Sequence, residues 1–410
     1  MNSPARDPHL TPPSPCGYPL KLEPQFVERV WGAACDSEQI AFLYPPDHSS
    51  QATERPQRVG EVWLTGNGNR IANGAHTGKT LQDVTRDCGA ALLGDSPSLD
   101  HPSGQPVFPL LIKILFTTDK LSVQVHPPDS YATQQGSWGK TEMWHILRAA
   151  PDARLAVGFR RDIPRDFVDD AAKLRQAAES GSLEQLLDWR EVHDGETYFV
   201  PAGTVHAIGA GLTLCEIQQN SDITYRLYDY NRPGTDGKPR ALHLEEALKV
   251  IEWRSSGGRT SPFDWPGGAG KRRLLAACPY FLTERWEFPA ASMGDENQEQ
   301  ILRGVYPERS RRAQDDRAGR RPVIWIAIKG AAEFDAGGER ATAREGEVVV
   351  IPADATSYKV CPLARSVFLR TFPPDWDADV AAPLRAAGAS EAEMIKVCFP
   401  LSATAEETKR

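Results

Sequence analysis

Six residues constrain this chain more than any others. In LSVQVH, Leu121 to His126, apolar Leu121, Val123 and Val125 alternate with polar Ser122, Gln124 and His126. Successive side chains of a strand point to opposite faces, so each set of three shares one face. An apolar outer face over a polar inner face suits the wall of a small barrel whose interior holds a site rather than a packed core. Pro127 and Pro128 end the strand.

Gln124 and His126, two residues apart, reach toward one point. Glu142 opens a second strand-like run, TEMWHIL, which brings a carboxylate to the same place. In VPAGTVHAIG, Pro201 and Gly203 form a turn that presents His206. An amide oxygen, two imidazoles and a carboxylate suit zinc or another borderline divalent ion, with a position left for water or substrate. Any one of the four, taken alone, reads as an ordinary hydrogen-bonded residue. Their joint occurrence at strand and turn positions points to a metal shell.

A chain of 410 residues accommodates two or three domains and a sizeable core. Its net charge of -8 argues against nucleic acid as a partner, while an anionic substrate stays open because local Lys/Arg clusters decide that. No apolar run is long enough to span a bilayer, and no secretory pattern opens the chain. The seven cysteines are scattered and form no CxxC pair, so the expectation is a reducing, cytoplasmic setting with no disulfide framework.

Taken in order, residues 1–17 read as a proline-rich, disordered tail. Strand-like pieces follow in PLKLEPQFVERVWG and VGEVWLT, where Glu61 is either a group facing the site or an exposed edge residue. Thr80 is the expected N-cap of a helix reaching Gly94, with Asp83 three residues on. FPLLIKIL, Phe108 to Leu115, reads as a strand buried on both faces. Its Lys113 is costly there unless it is paired or opens into a site; an outward snorkelling lysine is the other reading. Helices RDFVDDAAKLRQAAES and LEQLLDW make an insertion over about 161–190, the second capped by Ser182 and Gln185.

LTLCEIQ and ITYRLYDYNR alternate again and aim Glu216 and Arg226 at one interior from neighbouring strands. A catalytic pair and a purely structural ion pair are both open. A helix is expected over His243 to Trp253, and a linker over Ser255 to Gly270. From Leu274 a second all-β unit follows, in which EGEVVVIPA echoes the earlier DGETYFVPA as an internal repeat. His243 is the last histidine of the chain, so this unit cannot repeat the metal shell and is assigned to packing and support. Arg303 to Arg321 reads as a basic solvated loop. The expected organisation is a tail (1–17), a metal-binding unit (18–260), a second barrel (261–375) and a helix-prone C-terminal segment (376–410).

The segments PQFVERVWG, VGEVWLT, FPLLIKIL, KLSVQVHPPDSYA, GKTEMWHIL, VPAGTVHAIGAGLTLCEIQQNSDITYRLYDYNR and CPYFLTERWEF resemble the class I mannose-6-phosphate isomerases, in the short form common in Gram-positive bacteria. The resemblance implies a mainly β fold of tandem cupin (jelly-roll) barrels with a helical insertion. It also implies one Zn2+ per chain and interconversion of mannose 6-phosphate and fructose 6-phosphate through a cis-enediolate. On it, Gln124, His126, Glu142 and His206 are the zinc ligands, Arg226 is the active-site arginine and Lys140 a substrate-site lysine. Ser122 and Lys113 match positions near the sugar phosphate. Many relatives have His-Lys-Pro-Glu where this chain has Gly139, Lys140, Thr141 and Glu142, and Phe116 stands where a small or acidic residue is usual. For the proton-shuttling base the alternation favours Glu216, with Asp222 second.

The expected partner is a small sugar phosphate, with neither nucleic acid nor membrane; the sequence does not speak to oligomeric state, and a monomer is compatible. Two rival functions stand beside this one: an isomerase of another sugar phosphate, and a non-catalytic sugar-phosphate-binding cupin. A fused nucleotidyltransferase is not expected, since no Gly-rich nucleotide loop follows a strand.

Overall fold

The computed structural model describes residues 16–45, 55–168, 170–254, 257–266, 270–289, 320–355 and 357–400. All but the last two residues of the expected tail lie outside the described residues. So do part of the Ser255–Gly270 linker and the basic segment up to residue 319.

The alternating segments are strands, and two facing sheets are built from them. One is seven-stranded, in the order Gly258–Arg259, Thr197–Val200, Glu142–Ala149, Leu212–Gln219, Leu110–Thr117, Glu61–Trp63, Gln25–Val27. Its central strand, Leu212–Gln219, is buried along its whole length and pairs antiparallel with Leu110–Thr117 and Glu142–Ala149. The other is five-stranded, in the order Leu187–Glu191, Arg154–Phe159, His206–Ile208, Val123–Val125, Tyr225–Tyr228. Its apolar side, with Val123, Val125, Ala207 and Leu227, packs against the helices Ala171–Ser180 and Leu244–Val250. That covering leaves the polar side turned inward.

The second unit is another antiparallel pair of sheets. Seven strands run in the order Leu20–Leu22, Val348–Ile351, Val323–Lys329, Ser366–Phe372, Leu282–Phe288, Lys271–Ala277, Phe263–Asp264, beside a three-stranded sheet centred on Ala331–Ala336. Leu20–Leu22, which the sequence groups with the first unit, is therefore hydrogen-bonded at the edge of the second, in register with Val350 to Val348. Three residues carry no periodicity that names a sheet.

Helix boundaries follow local chemistry. Thr80 caps Leu81–Cys88 with Asp83 completing a reciprocal capping box, as the spacing implied. Gly89, at φ +48°, where an L side chain is strained, ends that helix and separates it from Ala90–Leu93. The expected helix LEQLLDW is instead a 3-10 turn, Ser182–Leu186, followed by the strand Leu187–Glu191. Leu187 and Trp189 pair with Phe159 and Ala156 there, and tertiary pairing overrides a short helical pattern. The cysteine expectation also fails at one pair. Cys16 and Cys88, 72 residues apart, form a disulfide with their Cα atoms 6.2 Å apart. Cys35, Cys215, Cys278, Cys361 and Cys398 are free thiols.

Candidate active site

Strand register assembles the site as two facing rows. In the five-stranded sheet, His206 pairs with Gln124 and Gln124 with Arg226, so three polar side chains line up across three strands. In the seven-stranded sheet, Trp144 pairs with Glu216, Glu216 with Lys113, and Lys113 with Trp63. Glu216 and Arg226 thus face one interior from opposite sheets, not from neighbouring strands as the alternation alone suggested.

His126 and Glu142 converge on His206, at the end of the first row. His126 Nε2 lies 3.6 Å from Glu142 Oε2, His206 Nε2 lies 3.5 Å from Glu142 Oε1, and the two rings are 4.8 Å apart. Each ring's Nδ1 is held by a backbone carbonyl, Ile223 at 2.8 Å and Thr204 at 2.9 Å. Nδ1–H therefore donates to the carbonyl, and the Nε2 lone pairs face the centre. Burial, reinforced by the Lys140 charge, holds the His126 pKa well below the usual value, and burial brings His206 down to about 4. Both rings are neutral at pH 7, the state a metal requires.

Gln124 reaches the same centre, its amide nitrogen 3.2 Å from His206 Nε2 and its oxygen accepting from Ser122 Oγ at 3.1 Å. A half-turn of the amide exchanges nitrogen for oxygen at that position. Lys140 Nζ lies 2.9 Å from both Glu142 Oε2 and His126 Nε2. Burial alone would lower this ammonium's pKa; the carboxylates of Glu142 and Glu216 outweigh it and the net shift is upward.

A cavity of about 300 Å³ adjoins the cluster. Gln124 and Lys140, which contact the cluster, line this cavity, while His126, Glu142 and His206 do not. Five cations, Arg29, Lys113, Lys140, Arg226 and Arg240, share the lining with Glu28, Glu61, Glu216 and Asp222. Lys113 does not snorkel outward: its Nζ is 3.5 Å from Glu216 Oε2, 4.0 Å from Asp222 Oδ1 and 5.1 Å from the Trp63 ring centroid. Glu216 Oε1 accepts from Trp144 Nε1 at 3.2 Å. Burial raises the Glu216 pKa, the Glu142 carboxylate adds to this, and the cations Lys140 and Lys113 oppose it. Glu61 faces the cavity too, gripped by Arg29 at 3.1 and 3.0 Å and by Trp63 Nε1 at 2.7 Å. Arg226 Nε is buried without a hydrogen-bond partner, and among the described residues no carboxylate lies within ion-pair distance of this guanidinium.

Sequence reasoning missed Arg29 and Arg240. Each is steered to the cavity by an acid, Glu61 for Arg29 and Asp229 for Arg240, the latter at 2.6 Å from Nε. Arg240 follows an irregular loop, where no periodicity marks its direction. Arg29 sits in VERVWG, and only its two-residue offset from Trp31 hinted at a shared face.

The family model for the catalytic domain of type I phosphomannose isomerase matches residues 20–151. Mannose-6-phosphate isomerase ManA of Bacillus subtilis (strain 168) is 35% identical over 283 residues, covering 67% of this chain and 81% of the relative. The chain belongs to the type I phosphomannose isomerase family. Among solved structures, that of the mannose 6-phosphate isomerase from Bacillus subtilis superposes with a TM-score of 0.66 at 25% identity, covering 86% of this chain and 99% of the other. A zinc-bound mannose 6-phosphate isomerase superposes with a TM-score of 0.58 at 17% identity, covering 87% and 100%, a likeness of fold. The tandem-cupin architecture of these isomerases is that of the two units described above.

The donor set of this family member fits a zinc ion on its own chemistry. Glu142 is fully buried, and neither of its oxygens accepts a directed hydrogen bond. A buried carboxylate so placed requires a cation, and the Lys140 ammonium meets it on one side only. Two neutral Nε2 atoms and a carboxylate within 4.8 Å of one another, with an amide beside them, supply the nitrogen and oxygen ligands zinc takes.

Proposed function

We propose that this isomerase interconverts mannose 6-phosphate and fructose 6-phosphate, with one zinc per chain held by Gln124, His126, Glu142 and His206. The observation that carries the reading is the His126–Glu142–His206 cluster opening through Gln124 and Lys140 onto a cavity rich in cations. Zinc, when bound, supplies Lewis acidity toward the sugar oxygens at C1 and C2. Isomerisation removes a proton from C2 of the open-chain sugar and returns one to C1, passing through a cis-enediolate.

Glu216 is the base in this proposal. Trp144 fixes one of its oxygens, and its raised pKa strengthens it as a proton acceptor and lets it hand the proton back. Arg226 stabilises the negative charge that grows on the enediolate oxygens, since its guanidinium lines the cavity and makes no ion pair with a carboxylate among the described residues. Lys140, close to Glu142 and His126, serves ring opening at the sugar oxygen better than it serves the phosphate. Lys113 is assigned to the phosphate side, where Arg29 and Arg240 add positive charge. Ser122 lines the same wall, and its hydroxyl also orients Gln124.

A coupled assay following fructose 6-phosphate into mannose 6-phosphate, run with metal analysis, tests this. The protein should carry about one zinc per chain, lose activity on chelation and regain it with zinc. Full turnover by zinc-free protein would overturn the reading. A panel of other sugar phosphates turned over faster than mannose 6-phosphate would move the assignment to that substrate.

A further inference from the structure

A second cluster of metal-binding side chains lies outside the isomerase cavity. Cys16, His76 and Cys88 bring two sulfurs and an imidazole nitrogen within 4.8 Å of one another. His76 Nε2 is 3.6 Å from Cys16 Sγ and 3.7 Å from Cys88 Sγ. A tetrahedral ion with bonds of about 2.3 Å to sulfur and about 2.05 Å to nitrogen holds those atoms about 3.6 Å apart. A structural disulfide has no use for an imidazole turned equally onto both its sulfurs. Two thiolates around one cation do.

The histidine is deliberately placed. Its backbone N–H donates to Tyr18 Oη at 3.0 Å, and its ring stacks on Tyr18 with centroids 5.9 Å apart. The turn carrying it begins at Gly74, with φ +65°, where a Cβ would come within 2.4 Å of the Tyr18 ring. Cys88 is the last residue of the capped helix Leu81–Cys88, so both protein-side anchors are rigid. We propose that Cys16, Cys88 and His76 form a second, thiol-dependent site for a thiophilic divalent cation such as Zn2+ or Co2+, available when the disulfide is reduced. A dithiol reductant supplies two electrons and two protons, breaking the S–S bond to two thiols and closing to its own disulfide. A phosphine supplies the two electrons and becomes the phosphine oxide, with water giving the oxygen and both protons. Metal binding then releases one proton from each thiol to water, and a fourth position is left for water.

Cobalt uptake by the full chain decides the matter, because the isomerase cluster contains no sulfur. Protein reduced with a phosphine and desalted without oxygen should bind about one further Co2+ per chain and show thiolate-to-cobalt charge-transfer absorption. Oxidised protein should show neither. C88S should lose that absorption while retaining isomerase activity, and H76A should weaken the additional Co2+ by roughly tenfold or more. Reduced wild-type protein whose thiols react with a thiol reagent yet give no such absorption overturns the proposal, leaving a structural disulfide only. Absorption that persists in C88S overturns it equally. If C88S fails to fold, the comparison of reduced with oxidised wild type remains decisive.

Discussion

Arg226 lines the cavity, and among the described residues it makes no ion pair with a carboxylate and its Nε has no hydrogen-bond partner. Folding therefore gains little from this guanidinium, and catalysis is where its loss should register. R226A should lower kcat/KM by about a hundredfold, or about 3 kcal/mol of transition-state stabilisation, with zinc content and Tm unchanged. Glu142 makes the opposite case. It is the counter-charge of Lys140, which is itself only 4% exposed. E142Q should abolish zinc binding and destabilise the zinc-free protein by about 3 kcal/mol, because a buried ammonium loses the carboxylate it contacts and keeps only more distant ones, Glu216 foremost. Adding K140M should restore most of that stability without restoring zinc; denaturant titration of zinc-free wild type, E142Q, K140M and the double variant measures the first effect and metal analysis the second. At this scale the sequence was readable for side chains on alternating strands, such as Gln124, His126 and Glu216. It was ambiguous for Lys113 and Glu61, since a charge in an apolar run is explained equally by a site or an edge until its neighbours are known. Cys16 and Cys88 left no trace, because spacing along the chain says nothing about a contact made 72 residues away.

Strands were legible where polar and apolar residues alternate, and so was the capping box at Thr80, because these signals are local. Register was not: nothing local states that His206, Gln124 and Arg226 form one row, since that row is written by pairings between distant segments. The same limit hid a comparable row in the second unit, where Leu274, Glu284 and Arg370 are cross-strand neighbours. Glu284 is fully buried and accepts from Arg272 Nε at 2.8 Å, Arg370 Nη1 at 3.0 Å and Trp286 Nε1 at 3.0 Å. Burial alone would raise its pKa; the two guanidinium groups outweigh burial and hold it below the usual carboxylate value. A carboxylate whose pKa falls on folding contributes its stability above the unfolded value of about 4.3, and loses it as pH drops through the folded value. E284Q should thus destabilise the protein by about 3–5 kcal/mol at pH 7. The gap to wild type should begin to narrow below about pH 5 and close only in stronger acid. Denaturation midpoints measured across that range check it, and a pH-independent gap would remove the ion-pair explanation.

We propose 18–260 and 261–375 as the two barrel units, yet the packing does not separate them. One hydrophobic cluster includes Ile112, Ile114, Phe116 and Ile217 of the first together with Ile324, Ile326, Val350 and Leu369 of the second. Leu20 and Leu22 belong to that cluster while their backbone completes the second unit's sheet. Phe199 stacks on Phe399 with centroids 4.0 Å apart, Ala277 bridges Cys398, and Tyr280 Oη donates to Asp129 at 2.7 Å. The second unit is therefore bonded to the short helix Asp129–Ala132, which follows the strand carrying Gln124. Shared core of this kind makes unfolding one half expose apolar surface of the other, which is the condition for a single cooperative transition. Calorimetry of the zinc-free chain should show one peak, with van't Hoff and calorimetric enthalpies in agreement. Leu22 is fully buried at the seam, so L22A should lower stability by about 2–5 kcal/mol and move that peak as a whole. Two resolved peaks, with only one shifted by L22A, would mean that the halves fold independently and that the seam is a contact rather than a core.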